Sequence, residues 1–322
     1  MQYRVLGRTG VQVSQLCLGT MTFGAEADAA ESARMYAAAR DVGINFFDCA
    51  NTYAKGRSEE VLGQLIAGHR DEVVVTSKTY NSIGKDINAK GSSRRYLVKA
   101  VEQSLKRLKT DRIDVLFMHR FDPLTPLEET LRGLEDLVRS GKVLYPGASN
   151  FAAWQVAKAL GIAERNGWSR FEVMQPMYNL VKRQAEVEIL PLAKDEEIGV
   201  ICYSPVGGGL LSGKYGRDKR PKGARLVDNA MYGKRYREAW AYDTAEDFTE
   251  LCTRAQVHPV SMAIAWANMH AQITAPIIGG RSLEQLSPAL DSVNVTLTPE
   301  LYAEISALSR TPPPATDRLE TQ

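Results

Sequence analysis

Residues 93–123 read SRRYLVKAVEQSLKRLKTDRIDVLFMHRFDP, and the two halves of this stretch carry different periods. Leu97, Val101, Leu105 and Leu108 recur at helical spacing, which predicts an amphipathic helix over 93–108. Ile113–Met118 is apolar but for Asp114 and does not alternate. That pattern predicts a strand covered on both faces, as parallel strands are.

The same unit repeats in both directions along the chain. Strand candidates lie at Leu16–Gly19, Asn45–Phe47, Val73–Ser77, Ile113–Met118, Val143–Ala148, Val173–Gln175, Val200–Tyr203 and Ala275–Ile278. Helical patterns fill 29–42, 58–68, 93–108, 126–139, 151–165, 184–197, 244–256 and 282–290. Eight strands in strict alternation with helices predict an α/β fold of the (β/α)8 TIM-barrel type, preceded by a small N-terminal β-hairpin. The competing arrangement is an open doubly wound sheet, whose first strand is ordinarily followed by GxGxxG. Here it is followed by GTMTFGAEAD (19–28), which lacks that fingerprint. Thr298-Pro299-Glu300 starts an extra C-terminal helix over 298–310. Residues 1–310 are expected to form a single domain, and 311–322 (TPPPATDRLETQ) a disordered tail.

The chain has 322 residues, of which 44% are hydrophobic and 24% charged, so a large folded core is expected. Forty basic residues against 38 acidic ones leave a net charge of +2, which gives no general reason to expect nucleic acid or an anionic membrane surface. No apolar run is long enough to span a bilayer, and the N-terminus shows no signal-peptide core. Cys17, Cys49, Cys202 and Cys252 are far apart, without a CxxC pair. They predict buried, reduced thiols and a cytoplasmic location.

In such barrels the chemistry sits at the C-terminal ends of the strands. Here those ends carry Gly19-Thr20-Met21, Asp48 with Tyr53 five residues on, Lys78, His119, Ser149-Asn150, Gln175, Tyr203-Ser204-Pro205 and Gly279-Gly280-Arg281. A lone Asp or Lys at a strand end is ordinarily a capping residue, and a histidine after VLFM is as readily a core group. Four ionisable groups at successive ends point instead to a functional quartet of Asp48, Tyr53, Lys78 and His119. A lysine beside a tyrosine favours the phenolate and should lower its pKa from about 10. A carboxylate keeps the lysine charged, and a histidine can orient a substrate oxygen. The set suits protonation of a carbonyl oxygen while hydride reaches its carbon. The strand ends offer no cluster for a metal.

The 39 residues of 205–243 form a long connection, and residues 214–237 hold nine Lys or Arg against Asp218 and Asp228. This stretch is expected to be either a solvated face or a clamp that attracts a dinucleotide. GGLLSGKY (208–215) nearly matches the phosphate-cradling GxxxxGK[ST] loop, but Tyr215 stands at the magnesium-binding hydroxyl position.

These motifs resemble the aldo-keto reductases. The stretches that carry the resemblance are LCLGT (16–20), NFFDCANTYAKGRSEEVLG (45–63), VVVTSKTY (73–80), RIDVLFMHRFDP (112–123), GKVLYPGASNF (141–151), QPMYNL (175–180), IGVICYSPVGGGLLSGKY (198–215) and PIIGGRSLEQL (276–286). Within the family the chain is most similar to bacterial members that also resemble potassium-channel β subunits. The resemblance implies a carbonyl reductase that uses NADPH/NADP+, with Tyr53 as general acid, Lys78 tuning it, Asp48 paired to Lys78, and His119 orienting the carbonyl. It implies cofactor contacts from Thr20, Met21, Asp48, Ser149, Asn150, Gln175 and Tyr203. Ser204, Pro205, Val206, Gly207, Gly208 and Lys214 match the loop that crosses the pyrophosphate. Arg281 and Gln285 match the 2′-phosphate end, with Gly279 in the adjoining turn and Arg225 as a further contact. Phe23, Tyr80, Phe121, Asp122 and Tyr232 are expected to wall the substrate, a small carbonyl compound. Two positions depart from the family. Ala289 stands where many members have an adenine-binding asparagine, and Pro146 interrupts the fifth strand. Two other readings stay open, a Schiff-base aldolase acting through Lys78 and a channel-β-like cofactor sensor. Against the second stands the short N-terminus, which has no inactivation-peptide-like extension.

Overall fold

Parallel strands close on themselves at the centre of the structure, a computed structural model that describes residues 1–82 and 84–316. β1 (Tyr3–Val5) and β2 (Gln12–Ser14) pair as the expected antiparallel hairpin. The barrel strands are β3 (Cys17–Gly19), β4 (Phe46–Asp48), β5 (Val74–Thr79), β6 (Ile113–Met118), β7 (Val143–Ser149), β8 (Val173–Gln175), β9 (Gly199–Cys202) and β10 (Ala275–Ile278). Each pairs with the next in parallel, and β10 returns to β3. This is the (β/α)8 barrel, with helices packed outside it and a further helix, Pro299–Ala307, after the last unit.

Strand periodicity divides the core into two parts. On β6, Val115 and Phe117 face the barrel axis, where they pack with Cys17, Phe46, Val173, Ile201 and Ala275. Leu6 and Val13 of the hairpin region join the same cluster and close the bottom of the barrel. The alternate residues Leu116 and Met118 face outward and pack with Leu97, Val101, Leu105 and Leu108. The helical stripe read from the sequence therefore lies on the outside of the strand that follows it.

Pro146 is accommodated within an unbroken β7, opposite Leu116 on β6, and its carbonyl accepts from the Glu172 N–H at 3.0 Å. The next residue, Gly147, leaves room for the Phe117 ring, which an added Cβ would approach to 2.6 Å.

The 205–243 connection differs from expectation. It carries two short helices, Arg225–Asp228 and Ala230–Arg235, and the following helix begins at Ala239 rather than at 244. A helix at Pro259–Met269 has no counterpart in the sequence reading. Its residues Ser261 to Ala267 are all buried, so it lacks the polar face that makes a helix visible as a period. Residues 311–316 form neither helix nor strand, and the rest of the expected tail, 317–322, lies outside the described residues. Among the described residues no helix is long and apolar enough to cross a membrane. All four cysteines are buried and free, and burial pushes the Cys49 thiol up to about 12.

Gly63 shows how closely the outer layer is packed. A Cβ there would lie 2.5 Å from the carbonyl oxygen of Leu108, at the end of the neighbouring helix. Helix propensity alone would make Gly63→Ala stabilising by about 1 kcal/mol. The backbone collision should win and cost about 1–3 kcal/mol. Urea unfolding measures the sign, and a variant as stable as the parent would contradict this packing.

Candidate active site

The barrel's pleat decides which side chains reach its open end. Residues two positions beyond the axial layer again face the axis, one step higher. Phe46 is followed in this way by Asp48, Thr76 by Lys78, Phe117 by His119, Gly147 by Ser149, Val173 by Gln175 and Ile201 by Tyr203. A polar layer thus sits directly on an apolar plug.

Its centre is an ion pair. The Lys78 ammonium donates to Asp48 Oδ2 at 2.5 Å and to the Cys49 carbonyl at 2.8 Å, with the lysine side chain 1% exposed. Asp48 Oδ1 accepts from Thr76 Oγ1 at 2.7 Å and from Gln175 Nε2 at 2.8 Å. Burial alone would lower the Lys78 pKa, but Asp48 and the phenol of Tyr53 reverse this and raise it. The lysine is therefore a fixed cation.

Tyr53 lies above it, with Lys78 Nζ 4.9 Å from the ring centroid. The ring comes from a tight turn after β4 in which Ala54, Lys55 and Gly56 all have positive φ (47°, 58° and 96°). Left-handed non-glycine residues cost about 1–3 kcal/mol each and need support from their surroundings. Arg107 covers Gly56 and donates to Glu59 at 2.7 Å, while Ser77 donates to the other oxygen of Glu59 at 2.6 Å. The fully buried Glu59 therefore ties the tyrosine turn to β5, one residue from Lys78.

The expectation of a lowered tyrosine pKa is corrected. Burial pushes the Tyr53 phenol up to about 12, and Lys78 offsets only part of that. Tyr53 thus holds its proton at neutral pH. His119 meets the Tyr53 ring edge-on, at 6.4 Å between centroids. Burial and the nearby Lys78 bring its pKa down to about 4, so the ring is neutral. Asn81 Nδ2 lies 3.2 Å from His119 Nδ1. An amide donor there makes Nδ1 the acceptor and leaves the proton on Nε2.

Tyr53 and His119 open onto a cleft of about 1480 Å³. Pockets for single small ligands run to about 300–1,000 Å³, so this one has room for a larger ligand or for two. Met21, Asp48, Ser149, Asn150, Gln175, Tyr203, Ser204, Pro205, Val206, Gly208, Lys214, Arg225, Gly279, Arg281 and Gln285 all lie along it, as do Phe121 and Tyr232. Tyr203 donates to Asn150 Oδ1 at 2.7 Å, and Asn150 Nδ2 donates to the His119 carbonyl at 2.9 Å. Ala289 also lines the cleft, with no amide to offer.

Other expected site residues sit elsewhere. Phe23 is fully buried in the outer core, not on the cleft wall. Thr20 is buried behind Asp48, donating to its carbonyl at 3.1 Å. Gly207 is buried in the turn that returns its N–H to Ser204. Tyr80 lies under the Arg120 guanidinium, and the neighbouring Asn81 lines the cleft instead. Asp122 is buried, holding Ser92 and Thr125. Asn81 and Arg120 were missed because an amide in a loop reads as a turn residue and a lone arginine as surface.

The cleft is positively charged. Lys214, Lys222, Arg225, Arg235 and Arg281 line it, and among the described residues none has a carboxylate within ion-pair distance. The basic stretch divides in two, for Arg217 is tied to Asp243, Glu246 and Asp247, and Arg220 stacks on Tyr242. Arg225 and Arg235 lie on the Tyr232 ring, which packs where a Cβ on Gly208 would be (2.7 Å). At the far end, Gly279 and Gly280 precede Ser282, which caps the helix Leu283–Leu290. A Cβ at Gly280 would lie 3.0 Å from Leu286 N and Ser282 O, so a larger residue would have to push this turn apart by a few tenths of an ångström. Unpaired cations beside a glycine turn at a helix start can hold phosphate groups.

The depressed His119 pKa gives a direct check. NMR of the imidazole nitrogens in the ligand-free protein should show His119 neutral down to about pH 5 and titrating near 4. Titration near 6.5, its ordinary value, would contradict the desolvated placement.

Comparison with known proteins agrees with this geometry. The chain is 38% identical to a Bacillus subtilis (strain 168) protein named uncharacterized oxidoreductase YrpG, over 94% of each chain. It is 36% identical to a probable voltage-gated potassium channel subunit beta of Oryza sativa subsp. japonica, over 98% of this chain and 99% of the other. It is 35% identical to the versiconal hemiacetal acetate reductase of Aspergillus parasiticus, over 93% and 94%. The model of the aldo/keto reductase family matches residues 15–310, and with the barrel and its polar layer in place the chain belongs to that family of oxidoreductases.

Proposed function

We propose that this protein is an NADPH-dependent carbonyl reductase that converts an aldehyde or ketone to the alcohol. The observation that carries this reading is the Tyr53 ring held beside the buried Lys78 ammonium, with His119 edge-on to it, at one end of a long cleft lined by cations. Bound in the cleft, NADPH would supply the hydride. Ser149, Asn150, Gln175 and Tyr203 would hold its nicotinamide end, and Lys214, Gly279, Gly280, Arg281 and Gln285 its phosphates and adenosine. His119 Nε2–H orients the substrate oxygen. Tyr53 then gives that oxygen its proton, and Lys78 stabilises the phenolate left behind.

The other readings fare differently. A Schiff-base lysine must present a neutral amine, whereas Lys78 is buried, paired with Asp48 and raised in pKa. A cofactor-binding sensor has support in relatives named as channel β subunits. Multiple turnovers with simple aldehydes separate it from a reductase.

Tyr53→Phe keeps the ring and removes the proton. It should lower kcat by about 10²–10⁴-fold while NADPH affinity stays nearly constant. A variant with more than half the parent kcat at neutral pH would remove Tyr53 from the acid role.

Arg281→Ala tests the cofactor. A charge-assisted hydrogen bond is worth about 1.5–3 kcal/mol, so NADPH should bind roughly 10- to 100-fold more weakly while NADH barely changes. Fluorescence titration that finds equal losses for both, or none, would mean that Arg281 does not read the 2′-phosphate.

A further inference from the structure

The catalytic end of the cleft carries a cation that this mechanism leaves unused. Arg120 follows His119 directly, is exposed, and lines the same cleft as Tyr53 and His119. Its guanidinium lies over the Tyr80 ring, 5.1 Å from the centroid. Stacking of this kind orients a guanidinium and leaves its N–H donors free.

Among the described residues no carboxylate lies within ion-pair distance of Arg120. Asp122, two residues on, is committed elsewhere. Its Oδ2 accepts from Ser92 N (2.9 Å), Ser92 Oγ (3.1 Å) and Thr125 Oγ1 (2.8 Å), and its Oδ1 accepts from Leu124 N (3.0 Å). Among the described residues only two acids line the cleft, Asp48 and Glu284. Asp48 is bound to Lys78, and Glu284 stands three residues from Arg281 at the far end. From the 205–243 connection, Arg235 also lines the cleft and, among the described residues, has no carboxylate within ion-pair distance.

We propose that the carbonyl substrate carries an anionic group, a carboxylate or a phosphate, which Arg120 binds while the carbonyl oxygen lies between Tyr53 and His119. The inference rests on the reductase reading above. Arg120 is the residue after His119, so their Cα atoms lie about 3.8 Å apart, and both side chains line the cleft that would hold the substrate. Oxo-acids and phosphorylated hydroxy-aldehydes are the classes that carry both groups.

Two pairs of compounds test it in steady-state NADPH oxidation. One is 4-oxobutanoate against its methyl ester, and the other is glyceraldehyde 3-phosphate against glyceraldehyde. At least one anionic member should exceed its neutral partner in kcat/KM by about 10- to 100-fold at low salt, and the margin should shrink as ionic strength rises. The pair that shows the margin distinguishes carboxylate from phosphate. Arg120→Met should erase it, chiefly through the KM of the anion, and Arg120→Lys should keep part of it. Turnover of neutral aldehydes with no anionic preference in either pair would overturn the proposal and leave the reductase reading standing. So would a preference that survives in Arg120→Met. No reduction of any aldehyde would overturn both.

Discussion

The site depends on one buried ion pair. Lys78 and Asp48 meet at 2.5 Å with almost no solvent contact, at the floor of the cleft, where Asp48 forms part of the lining. A buried charge without a partner costs several kcal/mol, so each residue is tolerable only because the other is there. Their remaining bonds extend the constraint. Asp48 on β4 also receives Thr76 on β5 and Gln175 on β8, and Lys78 reaches the carbonyl of Cys49. Strands from opposite sides of the barrel are thereby held to one carboxylate. The ammonium cannot leave to act as a nucleophile, and its fixed charge bears on the two groups above it. It moderates the phenol of Tyr53 and helps keep His119 neutral. The proposed reduction would use that inequality, with burial keeping the proton on the phenol until transfer and the cation placed to stabilise the phenolate.

Charge also organises the cleft along its length. Among the described residues only Asp48 and Glu284 bring acids to its walls, the first bound to Lys78 and the second three residues from Arg281. Several cations of the 214–237 stretch line it, and the glycine turn at Gly279–Gly280 stands at its far end. In a partly desolvated groove such fields act more strongly than on an open surface. This gives a chain of nearly zero net charge a local preference for anions that its composition does not disclose.

Most of the fold was legible because it rests on period. The stripe Leu97, Val101, Leu105 and Leu108 and the apolar run at Ile113–Met118 each announce their partners, and the observed strands begin and end within a residue or two of those read from the sequence. The Pro259–Met269 helix was illegible for the opposite reason, since it is covered on nearly every side and shows no period. That Asp48, Lys78 and His119 would meet at the open end of the barrel was legible because the pleat turns all three toward the axis. Loop geometry was not. Phe23 and Thr20 turn into the core although they flank a strand end, while Asn81 and Arg120 turn toward the cleft. The sign of the Tyr53 shift was also missed, because the sequence displays the neighbouring lysine but not the depth of burial that outweighs it.

The central claim is that this barrel delivers hydride to a carbonyl carbon and a proton to its oxygen. The most direct measurement follows a label. The protein would be incubated with benzaldehyde and NADPH stereospecifically deuterated at the nicotinamide C4, once for each face, and the alcohol analysed by mass spectrometry. The account predicts one deuterium at the carbinol carbon from one of the two labelled faces and none from the other. An alcohol without deuterium from either, or no alcohol at all over many equivalents of cofactor, would contradict it.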